Sequence, residues 1–530
     1  MDEAPSLPPR RRLTYGLFLS AAALRLWLVL RPVEALDALL VPDDTWFTLA
    51  VARSLARGLG PTVDGHTLTN GFQALQAFAL VPFALFGLDG DALFRANCFV
   101  LLGADLASLW LLARLARRHG GAVAGCLALA LGVASPVLVK NAYSGLETPV
   151  ALALVLGAFD ALPGLLRDPT PRRAWCFGLV SGAALLARVD AVLALAPLWI
   201  VYLNHRNYRA IARSMATTAL TLGPWWAYQL HRFGTVTPES GAAVRALVLD
   251  HRLHGQSRSA EVLWALGQTA GHLVCDWPAL MHSPTLGFSG GRALGLAVGL
   301  ALVLAALAAM RRAGAVSPHR STFRALQCAL GLYLAFYAFY LPAPWFLRRY
   351  LSVAEALVAL AVSVSLGQRW AALSPRRLGL GLGALVLVTG LQSQHLWLSA
   401  PRESLDGGLV GAKGYRAPAH GILRHLPPNA VVASMQSGAL AYWAGALRRD
   451  VQVVNLDGVV DGAAARAFSS QTLGAYARQR GVTHLVDWPY NLDVMRARWG
   501  APLPPLRFLG RARRQGAERM QLYALTGPTE

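Results

Sequence analysis

The chain has 530 residues, 55% of them hydrophobic and 15% charged, a balance that excludes an ordinary soluble globular protein and leaves apolar surface that only lipid can cover. The formal net charge of +21 raises nucleic acid as a partner, but no basic run is interleaved with aromatic residues on a polar domain, so no nucleic acid is expected. The arginines stand between apolar segments instead, as in the cytoplasmic loops of a membrane protein. Cys98, Cys126, Cys176, Cys275 and Cys328 are scattered singly, without the close pairs of a zinc or redox site.

A span needs roughly 20 apolar residues. The pattern predicts about 11 transmembrane helices, near 13–30, 93–113, 120–139, 148–166, 174–187, 190–203, 214–230, 293–310, 323–341, 351–366 and 378–398. The first, behind Arg10 to Arg12, has the charge order of a signal sequence but no small-residue cleavage site, and is kept as a span. With the amino terminus inside, the groups Arg114 to Arg118, Arg167 to Arg173, Arg206 to Arg213, Arg311 to Arg320 and Arg369 to Arg377 also fall inside, three arginines in each. The stretch 174–203 is about 45 Å long as one helix, too long for one span. A break at Arg188-Val189-Asp190 keeps every later loop on its side.

Three outer regions follow: residues 31–92, the loop 231–292, and everything after about 400. In the last, AVVAS (430–434), VQVVN (451–455) and THLVDW (483–488) read as buried strands and 463–480 as a helix. The expected architecture is an α-helical polytopic membrane domain over 1–399 with a small α/β extracytoplasmic domain over 400–530.

The first outer region opens with Asp43-Asp44 and a short helix to Arg57, stopped by Gly58, Gly60 and Pro61. One aspartate can cap that helix; two leave one spare for general-base or metal-binding work at the membrane surface. A divalent cation (Mg or Mn) bound by Asp43 and Asp44 is one expectation. Residues 71–87 read as an outer helix half-sunk in the bilayer, which sets Asn70 and Gln73 near the membrane face as sugar-binding groups or as local turn groups. Glu147 either caps the next helix or serves as a second acidic or sugar-binding group. Lys140, Arg188, Arg348 and Arg349 break the positive-inside pattern. Each is a snorkelling side chain or a phosphate ligand, for which the planar guanidinium fork is suited. The run Arg511, Arg513, Arg514 reads as a solvated face.

Taken together, DDTWFTLAVARSLARGLGPTVDG with TNGFQALQAF, SGLET (144–148), LARVDA (186–191), FGTVTPESGAA (233–243), WFLRRYL (345–351) and VVNLDGVV (453–460) resemble the GT-C superfamily of membrane glycosyltransferases. The match is to a bacterial branch related to protein O-mannosyltransferase and the lipid A aminoarabinose transferase. Gln76 stands where relatives often carry Trp. The resemblance implies a catalytic carboxylate at Asp43 or Asp44, a polyprenyl-phosphate-linked sugar donor, and later arginines on its phosphate. It also implies a carboxyl-terminal outer domain that helps recognise a glycan, lipid or protein acceptor. Asp190 and Asp457, carried by two of these landmarks, join the substrate-binding candidates. The expected site is the outer face of the bacterial inner membrane, in cell-envelope assembly. Inverting transfer needs a base and cations for the leaving phosphate. The rivals are a transporter or sugar-lipid flippase, which would also place Arg and Asp at a broken helix, and a noncatalytic scaffold.

Overall fold

The computed structural model describes residues 9–133, 135–252, 320–341, 347–392, 414–500, 504–511 and 520–525, with single positions between 257 and 312. The predicted span 293–310, Cys275, most of the loop 231–292, the end of the predicted span 378–398, and Arg513 and Arg514 lie outside the described residues.

The first eleven helices are α1 (Pro9–Val29), α2 (Val33–Leu40), α3 (Asp43–Ala56), α4 (Ala74–Leu85), α5 (Gly90–Val133), α6 (Pro136–Tyr143), α7 (Thr148–Arg167), α8 (Pro171–Ala187), α9 (Val192–Leu203), α10 (Tyr208–Phe233) and α11 (Glu239–Arg252). Then come α12 (Arg320–Phe339), a single turn Leu347–Tyr350, α13 (Ser352–Arg369) and α14 (Pro375–Gln392). Among the described residues four helices are long and apolar enough to cross a membrane: α1 from Arg10, α5, α7 and α12. Helix α5 covers two predicted spans. Gly121, at φ 83°, a backbone state that favours glycine, breaks its 44 residues, and Gly125 lies back against Ala113 and Arg117. Helices α8, α9, α10 and α13 occupy the predicted stretches 174–187, 190–203, 214–230 and 351–366. Helix α4, at 12 residues about 18 Å long, is too short to span.

Arg25 and Asp105 form a buried ion pair between α1 and α5. Arg25 also donates to the carbonyls of Gly132 and Val133, both at 2.8 Å. These are the last carbonyls of α5, which have no partner within their own helix, so a charge that is expensive in an apolar bundle closes a helix end.

The carboxyl-terminal part is a five-stranded sheet in the order β2-β1-β3-β5-β4, with β1 (Val431–Ser434), β2 (Gln452–Asn455), β3 (His484–Asp487), β4 (Leu506–Arg511) and β5 (Gln521–Leu525). Strand β1 runs parallel to β2 and β3, whereas β5 is antiparallel to β3 and β4. The parallel neighbours need crossovers. Helix α16 (Gly438–Leu447) joins β1 to β2, while α17 (Gly462–Ser469) and α18 (Leu473–Gln479) join β2 to β3. The single helix expected over 463–480 is two, because Gln471 takes φ 58° between them. Helix α15 (Arg416–His425) precedes β1 and α19 (Pro489–Arg498) follows β3.

One apolar core runs through both parts: Leu36, Trp46, Phe94, Val432, Tyr442 and Trp443 belong to the same buried cluster. Trp46 stacks on Phe94 with ring centroids 5.3 Å apart and lies 5.4 and 5.6 Å from Tyr442 and Trp443. Polar contacts ring this core. Arg53 donates to the Tyr442 carbonyl at 2.7 Å, Asp64 pairs with Arg480 at 3.0 Å, and Arg416 pairs with Glu34 and Asp91, both at 2.7 Å. The sheet unit is thereby seated on α2 to α5.

Candidate active site

Asp43 and Asp44 open α3 behind Pro42, and neither caps its own helix. Neighbours on a helix point roughly 100° apart, and these two carboxylates have different partners. Asp43 is buried and accepts the amides of Gly438 and Ala439 at 2.7 and 2.8 Å. Burial pushes its carboxyl well above the usual range, the charges of Asp44 and Asp457 add to the rise, and the two amides oppose it. Asp44 is partly exposed, and its Oδ2 accepts from Arg349 Nη1 at 3.0 Å.

Arg349 comes from the turn Leu347–Tyr350. Its guanidinium carbon lies 5.0 Å from the Tyr350 ring centroid, and that of Arg188 lies 5.0 Å from the same ring. Tyr350 stacks on Tyr337 at 5.1 Å. Arg188 stands in extended backbone between α8 and the 3-10 turn Val189–Ala191, where the length argument places a break. Its Nε and Nη2 each reach Asp190 at 2.9 Å, and Nη1 reaches Glu147 at 2.5 Å. The Tyr337 hydroxyl bonds to both Arg188 and Asp190. Glu147 occupies the cap position of α7 without making a cap hydrogen bond; its carboxylate is directed to Arg188. Helix geometry and the broken span therefore bring Asp44, Arg349, Arg188, Glu147 and Asp190 together around two tyrosine rings.

The other candidates have surroundings of their own. Asn70 is fully buried; its Oδ1 accepts the Glu239 amide at 3.0 Å and its Nδ2 donates to the Thr237 carbonyl at 3.3 Å. These two bonds tie the loop before α4 to the segment that leads into α11. Gln73 occupies the cap position before α4, half-buried and without a cap hydrogen bond. Lys140 is half-buried in the last turn of α6. The side chain of Arg348 lies outside the described residues. Asp457 is buried in the loop after β2, and its Oδ1 accepts the Val459 amide at 2.9 Å. Burial pushes its carboxyl up to about 7, and the charges of Asp44 and Asp487 contribute to the rise.

Three features escape sequence reasoning. Tyr337 and Tyr350 hold the arginines, and an aromatic residue in an apolar segment gives no signal of such work. Arg25 and Asp105 are the second, and the signal that could have singled them out is that both are ionisable groups inside predicted spans. Gln76 is the third: its Nε2 donates to Asn97 Oδ1 at 2.9 Å and to the Gly145 carbonyl at 2.7 Å. Gly145, at φ 83°, packs against Thr45, where a Cβ would collide. The amide thus moors the SGLET loop to α4, and the Thr45 hydroxyl, donating to the Ser144 carbonyl at 2.6 Å, ties it to the start of α3.

A divalent cation does not fit between Asp43 and Asp44. Asp43 is turned to two amide donors and Asp44 to a guanidinium, so the carboxylates share no face. Among the described residues no cluster of three or more His, Cys, Asp or Glu is placed to hold a metal ion.

No protein-family model matches the chain, and no curated protein matches it. Among solved structures, the chain is similar to the Archaeoglobus fulgidus oligosaccharyltransferase in complex with Zn and sulfate, at 14% identity and a TM-score of 0.57 over 89% of this chain and 67% of that one. The apo form of the same protein matches at 14% identity and 0.55, over 89% and 69%. ArnT from Cupriavidus metallidurans bound to undecaprenyl phosphate aligns over 97% of this chain and 98% of that one, at 16% identity and a TM-score of 0.44. The oligosaccharyltransferase likeness shows the fold, and it is the fold that the sequence resemblance implies.

Proposed function

We propose that the chain is a glycosyltransferase that moves a sugar from a polyprenyl-phosphate-linked donor to an acceptor hydroxyl, at the membrane face that carries the sheet unit. The observation that carries this reading is the Asp44 to Arg349 ion pair at 3.0 Å, at the seam between the helical half and the sheet unit. A phosphate is a better bidentate partner for a guanidinium than one carboxylate oxygen. Donor binding draws Arg349 onto the phosphate and leaves Asp44 without its cation. The acceptor oxygen then attacks the anomeric carbon, the bond from that carbon to the phosphate oxygen breaks with its electron pair leaving on the polyprenyl phosphate, and the hydroxyl proton passes to Asp44. Attack opposite the leaving group inverts the anomeric centre.

Arg188 has a different part. Its Nε, Nη1 and Nη2 all donate to protein acceptors, so it positions Tyr350 and Glu147 and is not assigned to the phosphate. No step passes through a metal ion. The membrane is the bacterial inner membrane, the sheet unit faces outward, and the acceptor is a glycan, lipid or protein hydroxyl of the cell envelope.

The test uses purified protein in sealed proteoliposomes with labelled polyprenyl-phosphate sugars and an envelope extract as acceptor. The proposal predicts free polyprenyl phosphate and labelled acceptor in equal amounts. Equilibration of intact sugar-lipid between leaflets, with neither product formed, would replace it with a flippase.

A further inference from the structure

Two of the helices by which the sheet unit meets the helical half do not cap themselves. Tyr415 and Ser437 occupy the cap positions of α15 and α16, and neither makes a side-chain cap hydrogen bond. The first amides of a helix have no intrahelical acceptor, and here carboxylates from α2 and α3 supply one. Asp37 accepts Tyr415 N at 3.0 Å and Arg416 N at 2.9 Å; Asp43 accepts Gly438 N at 2.7 Å and Ala439 N at 2.8 Å. Each acid also sits at the positive end of a helix dipole. The fit is close on both sides, for a Cβ on Gly438 would run into Asp43, and one on Gly414 would run into the Asp37 carboxylate.

The second cap has a consequence for the reacting group. Asp43 is fixed in direction by two hydrogen bonds, and α3 is rigid, so the rotation of α3 about its axis is fixed as well. Asp44 follows at roughly 100° around the same axis, which is the direction of Arg349. We infer that Asp43 is a positioning residue: by capping α16 across the seam, it sets the angle at which α3 presents Asp44 to Arg349. Seating of the acceptor-side unit and aim of the carboxylate are then one event. The functional consequence rests on the glycosyltransferase reading; the geometric one does not.

Two variants perturb the cap from opposite sides. Asp43→Asn replaces one accepting oxygen with an N–H donor facing an amide; Gly438→Ala leaves Asp43 intact and pushes it away. Asp37→Asn, which disturbs the other cap only, is the control. Full-length protein is compared by hydrogen exchange of the 438–447 peptide, and by the yield with which a short bis-methanethiosulfonate reagent bridges cysteines placed at 44 and 349. Both cap variants should speed exchange of the first α16 amides on the order of tenfold, the scale of a lost cap, and should cut the bridging yield severalfold. Asp37→Asn should leave both readings unchanged. Transfer by both cap variants, with 44 and 349 native, should lose kcat with little change in donor KM. Unchanged exchange in both variants would overturn the cap, and faster exchange with unchanged bridging would overturn the coupling. Failure of the wild type to transfer sugar would overturn the enzymatic reading while the exchange and bridging results still decide the positioning.

Discussion

Asp44 and Asp43 are adjacent in sequence and have unlike partners, which sequence alone leaves undecided. Their helical phase separates them, and only the position of the sheet unit tells which is turned to an arginine. Asp44→Asn should lower kcat by about 10²- to 10⁴-fold, the range of a lost general base, with the thermal midpoint unchanged; a stopped assay in detergent and a melting curve check both. Arg349→Lys keeps the charge but loses the planar fork, and should raise the donor KM about tenfold or more, since the two side chains are not interchangeable at a bidentate site.

Burial holds the carboxyl of Asp457 at about 7 instead of 3.8. A carboxyl held above its unfolded value binds its proton more tightly when folded. Its contribution to stability is complete below pH ~4 and is lost as pH rises through about 7. Asp457→Asn has no such loss. Relative to the variant, the wild type should therefore weaken between pH 4 and 8, by no more than about 4 kcal/mol, seen as a gap between the two melting curves that widens in the variant's favour. A gap independent of pH would show that Asp457 ionises as it does in the unfolded chain.

Among the elements, the break between α8 and α9 was legible because length forbids one span and charge forbids an odd count, and Arg188 stands there in extended backbone. Its chemistry was less legible. An arginine that breaks the positive-inside pattern suggests a phosphate, and here the guanidinium is engaged by two carboxylates, buried Glu147 and half-buried Asp190, that the local folding brings beside it. Removing one member of such a set leaves the others buried and unpaired. Arg188→Gln should cost about 3–5 kcal/mol, and joint replacement of Arg188, Glu147 and Asp190 by neutral isosteres should recover part of it; unfolding in mixed micelles measures both. Strands β1, β2 and β3 were readable from apolar runs, and the helix across 463–480 was not readable as two, because nothing in QTLG announces the left-handed Gln471. The Arg25 to Asp105 pair shows the same limit, since an apolar count registers a span and not its ionic contacts.

At the scale of the whole molecule, the order of helices and sheet was visible in the sequence and the seam between them was not. Periodicity describes a segment, whereas Asp37, Asp43, Arg53 and Asp64 act on partners more than 370 positions away. The shared core around Trp46, Tyr442 and Trp443 joins two halves that also bury apolar clusters of their own, one among the helices and one behind the sheet. A chain ended after residue 413 should expose that core face, lose protection of α3 against limited proteolysis, and show no transfer. Persistence of a protease-resistant α3 would indicate that the helical half stands without the sheet unit.

Transfer depends on Arg349 holding the lipid-linked phosphate while Asp44 takes the acceptor proton. The most direct measurement is single-turnover transfer from a labelled polyprenyl-phosphate sugar by the wild type and by Asp44→Asn, with donor binding followed in the same samples. The account predicts that the variant binds donor at least as tightly, because Arg349 is released, and forms product at least a hundredfold more slowly, the lower bound for a missing base. Product formed at the wild-type rate by Asp44→Asn would contradict it.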